Sequence, residues 1–339
     1  IHQQDSVVRQ GSPLTLSLIQ GNVPQDVKWS QQYQHETLEK YVGLSIESLR
    51  SALGSAAKTH WESERGGQAD AHKPASLVPD MITWPETAMP FYYPASPYVA
   101  EIRRFAEKVR IPVLTGIPAV RRLPEGKHRL LNRACLFFPE GTEASYDKEH
   151  LVPFGEYLPP FLDIDLFRPL LQGLGGFAKG DRLPLFAVQT KERADLKLGM
   201  LICYEAIFPE MAWQRVADGA QALLNISNDA WYDRTSAPLQ HLHCAAMRAV
   251  EQHRWMARST NTGITAFVDP LGRIYSLNDA SGMPALFCNG HLTKTLFAQD
   301  RHTLYFHLHP WMPAAAFALL LLIACASMPQ AMSRLKRKG

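Results

Sequence analysis

Residues 196–205 read Leu196-Lys197-Leu198-Gly199-Met200-Leu201-Ile202-Cys203-Tyr204-Glu205. An apolar run of this length that stops at polar residues is the pattern of a buried strand. A helical pattern follows over Pro209–Val216, so Cys203 falls on a strand-to-helix turn. Such a turn is expected to expose the thiol and set it near a helix N-terminus. There a thiolate is stabilised, and backbone N–H groups can receive an oxyanion. The competing reading is a buried structural cysteine, which is common.

Working outward, short apolar runs alternate with longer amphipathic ones. Strands are expected at Leu14–Ile19, Val78–Trp84, Ile111–Ile117 and Leu130–Phe138, with a turn at Pro139-Glu140-Gly141. Further strands are expected at Leu183–Val188, Leu196–Ile202, Ala222–Ile226, Trp255–Ser259, Ile264–Asp269 and Arg273–Leu277, the last two joined by Pro270-Leu271-Gly272. Helical spacing runs over Trp29–Ala57, Tyr98–Val109, Pro209–Val216 and Pro238–His253. The polar, glycine-containing stretch Lys58–Pro74 reads as a loop, and Pro153–Lys179 as a long irregular segment. This is α/β layering. Periodicity alone does not separate a two-sheet sandwich from a doubly wound sheet.

Composition narrows the function classes. The 339 residues are 46% hydrophobic and 20% charged, which excludes a disordered, collagen-like or coiled-coil chain. Lys+Arg of 35 against Asp+Glu of 32 leaves a formal charge of +3, and no basic stripe with interleaved aromatics appears, so nucleic acid is not an expected partner. Five cysteines without a CxxC pair make neither a disulfide framework nor a zinc ribbon. Cys135, Cys288 and Cys325 lie in apolar strands or spans and Cys244 in a helix, which leaves Cys203 as the candidate nucleophile. None of the 13 histidines has a supporting local pattern. His241 and His243 are two apart on a helix and point to different faces, so no metal site is expected there.

Two other segments share the strand-end context. Met81–Trp84 runs into Pro85 and Glu86, and Asp147 is followed by Lys148 and a turn. If the three ends converge, Glu86 would take the thiol proton. Lys148 would lower the thiol pKa and hold the oxyanion. A solvated surface is the alternative for both residues.

Taken together, these segments resemble the nitrilase superfamily and, within it, the apolipoprotein N-acyltransferases of the bacterial inner membrane. The resemblance is carried by Leu18–Asp26 with Lys28-Trp29, Trp84–Ala88, Lys148–Pro159, Ile202–Glu205, Asn225–Trp231, Gln240–Leu242, Met247–Ala249 and Arg258–Ala266. It implies an α-β-β-α sandwich. It also implies Glu86 as general base, Lys148 as oxyanion stabiliser and Cys203 as the acylated nucleophile. Glu156 and Glu205 match supporting acids, and the Tyr204 N–H joins the oxyanion site. Phe154, Tyr204 and Trp231 match aromatic positions near an acyl-chain pocket, with core packing as the other reading. The family usually has Gly where this chain has Asp233, which puts the local loop shape in question.

The C-terminal end fits the same picture. Trp311–Met328 holds no charge over 18 residues, just enough for a membrane span. Aromatics flank it on one side, and Arg334, Lys336, Arg337 and Lys338 follow on the other, as for a span with a cytoplasmic C-terminus. The expected organisation is a linker over 1–12, a catalytic domain over 13–307, a transmembrane helix over 308–330 and a basic tail over 331–339. Upstream membrane segments are expected before Ile1.

The resemblance implies a cofactor-free, monomeric enzyme of the inner membrane with its catalytic domain on the periplasmic side. It would move an acyl chain from a phospholipid, with phosphatidylethanolamine the expected donor, through a Cys203 thioester. The acceptor would be the N-terminal diacylglyceryl-cysteine of an apolipoprotein. Segment 153–179 is expected to act as a lid that excludes water. The alternatives are a membrane-tethered amidase on a small C–N substrate and a non-catalytic lipoprotein-binding domain.

Overall fold

A computed structural model describes residues 8–25, 28–64, 78–122, 128–157, 176–181, 185–190 and 193–336. The chain divides into two compact units, Ile1–Asp300 and Arg301–Gly339. The first unit contains twelve described strands: β1 (Pro13–Gln20), β2 (Met81–Thr83), β3 (Val113–Arg122), β4 (His128–Phe137), β5 (Glu143–Asp147), β6 (Phe186–Val188), β7 (Leu196–Ile202), β8 (Ala222–Ser227), β9 (Met256–Thr260), β10 (Ala266–Val268), β11 (Ile274–Ser276) and β12 (Gly290–Phe297). They form two six-stranded sheets, ordered β12-β1-β2-β3-β4-β5 and β11-β10-β9-β8-β7-β6.

Each sheet has a parallel centre and antiparallel flanks. β1, β2 and β3 are parallel, and so are β7, β8 and β9. Parallel neighbours need a crossover, and the long amphipathic runs supply it. Helix α1 (Gln31–Glu64) links β1 to β2, and α2 (Tyr98–Val109) links β2 to β3. Helix α3 (Pro209–Ala217) links β7 to β8, and α4 (Ala237–Gln252) links β8 to β9.

Alternation along the strands sorts side chains into layers. Leu14, Leu16 and Leu18 of β1 pack with Leu198, Met200 and Ile202 of β7 and with Leu224 and Ile226 of β8 in one buried cluster between the sheets. Ile82, Val113 and Phe137 face the other way. They pack with Leu38 and Tyr41 of α1 and with Val99, Ile102 and Phe105 of α2. The result is the α-β-β-α sandwich, which settles the choice that periodicity left open.

Three expectations are corrected. Helix α1 continues through residues 58–64, where a loop was expected; that stretch is polar but contains no Gly or Pro to stop it. The strand expected over Val78–Trp84 pairs only over Met81–Thr83. Cys288 lies in irregular structure just before β12, a strand that the apolar patterning did not announce because its residues are half-buried at a sheet edge. The loop over 65–74, the greater part of the lid segment (158–175), residues 1–7 of the linker and residues 337–339 of the tail lie outside the described residues.

The second unit holds α5 (Leu304–Leu308) and α6 (Met312–Lys336). The Thr303 hydroxyl caps the first of them, accepting from the Phe306 N–H at 3.0 Å. Among the described residues, one helical stretch is long and apolar enough to cross a membrane, the 24 residues Leu304–Ser327.

Candidate active site

The three expected residues stand at strand ends: Glu86 after β2, Lys148 directly after β5 and Cys203 directly after β7. All three are buried. Glu86 is held by both of its oxygens. Oε1 accepts from Asn132 Nδ2 at 2.8 Å, and Oε2 accepts from the Asn228 backbone N–H at 2.8 Å. Lys148 Nζ lies 3.5 Å from Glu86 Oε1 and donates to Glu156 Oε1 at 2.8 Å. Asn132 also donates to Glu156 Oε1 at 2.9 Å, so one amide ties both acids to the lysine. The Val152 N–H completes the cradle at Glu156 Oε2, 2.8 Å away.

Cys203 has φ +50°, a left-handed conformation that a side chain adopts only when its surroundings enforce it. A short 3-10 helix, Cys203–Ile207, begins at this elbow and leads into the helix over Pro209–Ala217. The thiol is also not exposed, since Cys203 is only 8% accessible. Burial, followed by the Glu86 charge, pushes it up to about 12, although Lys148 and Ser227 pull the other way. The expectation that Lys148 lowers the thiol pKa therefore holds for its own contribution and fails for the sum. The resting group at neutral pH is a thiol, and its proton must leave as the sulfur reacts. Burial works against the Lys148 ammonium, but Glu86, Cys203 and Glu156 outweigh it and hold the lysine charged well above its ordinary range.

Glu205 is fully buried and acts as a strut. Its Oε1 accepts from the Glu149 and His150 N–H groups at 2.7 and 3.0 Å and from the Tyr146 hydroxyl at 2.8 Å. Its Oε2 accepts from the Ile202 N–H at 2.7 Å. The residue thus fastens the lysine turn to the cysteine elbow. The Tyr204 ring packs edge-on against Phe208, with centroids 4.9 Å apart. Phe154 and Trp231 are 50% and 76% exposed, which removes core packing as their explanation. Asp233 has a backbone suited to glycine, φ +48° and ψ −153°.

Sequence reasoning missed Asn132, His241 and Arg258. His241 lies on the buried side of α4, and its Nε2 stands 3.0 Å from the Cys203 carbonyl oxygen. Its Nδ1 is 3.0 Å from Asp229 Oδ1, and Arg258 donates to Asp229 Oδ2 at 2.8 Å. The available signal was a histidine in the apolar phase of a helix, which needs buried partners. Cys203, Asp229 and His241 offer donor atoms within 4.8 Å of one another, a set of types that suits a metal. Here those donors are engaged: both imidazole nitrogens have partners, and the buried Arg258 guanidinium already supplies the positive charge beside Asp229. Burial opposes the Asp229 carboxylate, yet Arg258 and then His241 hold it well below the usual range. The group fits a charge network better than a metal centre.

A buried thiol, a twice-anchored carboxylate and a buried ammonium held between two acids are groups that can together support nucleophilic catalysis. The carbon-nitrogen hydrolase family profile matches residues 15–283, which reaches from β1 to β11 and includes every residue of this cluster. The chain belongs to the carbon-nitrogen hydrolase family. Among curated relatives of this chain, the apolipoprotein N-acyltransferase of Geobacter metallireducens is 36% identical over 279 residues, covering 82% of this chain and 46% of that protein. The apolipoprotein N-acyltransferase of Pseudomonas aeruginosa is 34% identical over 320 residues, covering 93% and 54%. The chain thus spans about half the length of the curated relatives it matches. The fold is shared with a branch 10 member of the nitrilase superfamily from Saccharomyces cerevisiae, at TM-score 0.54 and 18% identity, covering 84% of this chain and 90% of that one. It is also shared with a mutant amidase of the same superfamily from Nesterenkonia AN1, at TM-score 0.52 and 21% identity, covering 88% and 95%.

Proposed function

We propose that this chain is the catalytic part of an apolipoprotein N-acyltransferase of the bacterial inner membrane. The observation that carries the reading is the buried Glu86–Lys148–Cys203 cluster in a chain whose curated relatives bear that name. The acyl donor is a phospholipid, with phosphatidylethanolamine the first to test. The acceptor is the α-amino group of a lipoprotein's diacylglyceryl-cysteine. The apolar helix Leu304–Ser327 spans the bilayer, with the catalytic unit periplasmic and the cationic C-terminus cytoplasmic.

The reaction runs in two halves. The Cys203 sulfur attacks the ester carbonyl as its proton passes to Glu86, which is required because the buried thiol stays protonated at neutral pH. The carbonyl oxygen becomes an oxyanion and is received by the Lys148 ammonium and the Tyr204 N–H. Collapse breaks the ester C–O bond, and the leaving lysophospholipid takes the proton from Glu86. A thioester remains. The lipoprotein amine then attacks it, Glu86 takes the amine proton, and the departing sulfur recovers that proton as a thiol. An amide has formed and the enzyme is restored, so ping-pong kinetics are expected. Phe154 and Trp231, large and exposed, suit contact with acyl chains.

The test is intact-mass spectrometry of the full chain after incubation with phosphatidylethanolamine vesicles. The expected result is a mass gain of one acyl chain, removed by hydroxylamine and absent in Cys203→Ala. An unmodified Cys203 together with ammonia release from simple amides would replace this reading with the amidase.

A further inference from the structure

His241 is a buried histidine whose partners have no place in the two half-reactions. A carbonyl oxygen only accepts, so the nitrogen 3.0 Å from the Cys203 carbonyl, Nε2, must carry a hydrogen. The ring is fixed from behind. Nδ1 meets Asp229 Oδ1, and Asp229 is fixed in turn by the Ser227 hydroxyl at 2.7 Å and by Arg258. Arg258 is itself held by Asn225 Oδ1 at the far end of the network. Asp229 and Arg258 are fully buried, so water does not screen this chain of charges.

The carbonyl that His241 grips shares a peptide unit with the Tyr204 N–H. A trans peptide is planar, with its C=O and N–H antiparallel. Fixing the oxygen therefore fixes the direction of the N–H on the opposite edge. A hydrogen bond to the oxygen also draws electron density out of the unit and strengthens the N–H as a donor. Such a hold suits Cys203, because a residue with a side chain keeps a left-handed φ only where its surroundings enforce it.

We propose that His241 is a positioning residue for acyl transfer, which aims and polarises the Tyr204 N–H through the Cys203 carbonyl while Asp229 and Arg258 hold the imidazole. The proposal rests on Cys203 being acylated, whatever the natural donor.

Two reactions of Cys203 separate this role from packing. Acylation by p-nitrophenyl butyrate passes through an oxyanion. Alkylation by iodoacetamide displaces iodide and forms none. Two isosteric variants separate the two ring nitrogens: Asn in place of His241 keeps an amide near the Nδ1 position, and Gln places one near Nε2. Both reactions are followed by intact mass on the full chain in detergent. In His241→Asn, acylation should fall by about 10²-fold, the scale of a lost oxyanion donor, with alkylation within about threefold of wild type; His241→Gln should recover acylation to within about tenfold. Parallel loss of both reactions, or equal acylation in the Asn and Gln variants, overturns the proposal. The acyltransferase reading fails separately, if wild type is acylated by p-nitrophenyl butyrate and never by phosphatidylethanolamine.

Discussion

At the scale of the residue, the site depends on one amide. Asn132 donates to both Glu86 and Glu156 while Lys148 lies between them. Leucine is close in size and has no hydrogen to offer, so Asn132→Leu leaves two buried carboxylates sharing one ammonium. Removing a hydrogen bond to a charged, buried group costs about 1.5–3 kcal/mol, or roughly 10–100-fold in the acylation rate if Glu86 must ionise to act. We expect that loss in kcat, with KM for p-nitrophenyl butyrate within about twofold, because Asn132 contacts Glu86 and Glu156 and no substrate need touch it. An equal loss confined to KM would show that Asn132 binds substrate instead. Asn132 was not legible in the sequence. Its partners are 46 and 24 residues away, and nothing in Leu131-Asn132-Arg133 distinguishes it from an ordinary strand residue. Cys203 closes an apolar run and Glu86 follows one, but Lys148 comes after the polar run Glu143–Asp147, so the three were singled out together by the family resemblance and not by patterning alone.

At the scale of the element, the elbow after β2 rests directly on β3. A Cβ on Gly116 would lie 2.3 Å from the Thr87 nitrogen and 2.6 Å from the Glu86 Cα, both backbone atoms that cannot swing aside. Gly116→Ala must push Glu86 out of register with Asn132 and Asn228. Overpacking of this kind costs about 1–3 kcal/mol of stability. The expected outcome is a lowered urea midpoint together with a loss of acylation far larger than the midpoint shift explains. A variant with the midpoint shift and full acylation would show that the elbow tolerates displacement. The strands of the parallel centres were readable because burial on both faces makes them continuous apolar runs. β12 was not, since an edge strand is only half covered. The end of α1 was not readable either, because polarity was taken for a loop where no residue breaks the helix.

At the scale of the whole molecule, one buried charge acts on global stability. Lys28 is fully buried, and its Nζ has no hydrogen-bond partner among the described residues. Burial lowers its pKa from 10.5 to about 8, with Glu86 as the opposing influence. Between those two values the unfolded chain binds more protons than the folded one, so this group's contribution to stability rises with pH across that window. The cost is complete below pH 8 and vanishes above 10.5. Lys28→Met should therefore be more stable than wild type at pH 7 by about 3 kcal/mol, the energy of the shift, with the gap closing as the pH is raised toward 10.5. Thermal unfolding of both proteins across that range reads it directly. A gap that does not change with pH would mean that Lys28 binds its proton equally well in the folded and unfolded chain, so that burial costs its charge nothing.

The two sheets carry different halves of the chemistry. Glu86 and Lys148 hang from β2 and β5 of one sheet; Cys203, with Asp229 behind it, hangs from β7 and β8 of the other. Glu86 and Lys148 precede Cys203 in the chain, yet the sheet that carries them is complete only when β12, which follows all three, pairs with β1. The three residues come together only when the leucine-lined faces of the two sheets close on each other. A chain with its sheets still apart therefore holds Cys203 away from both Glu86 and Lys148.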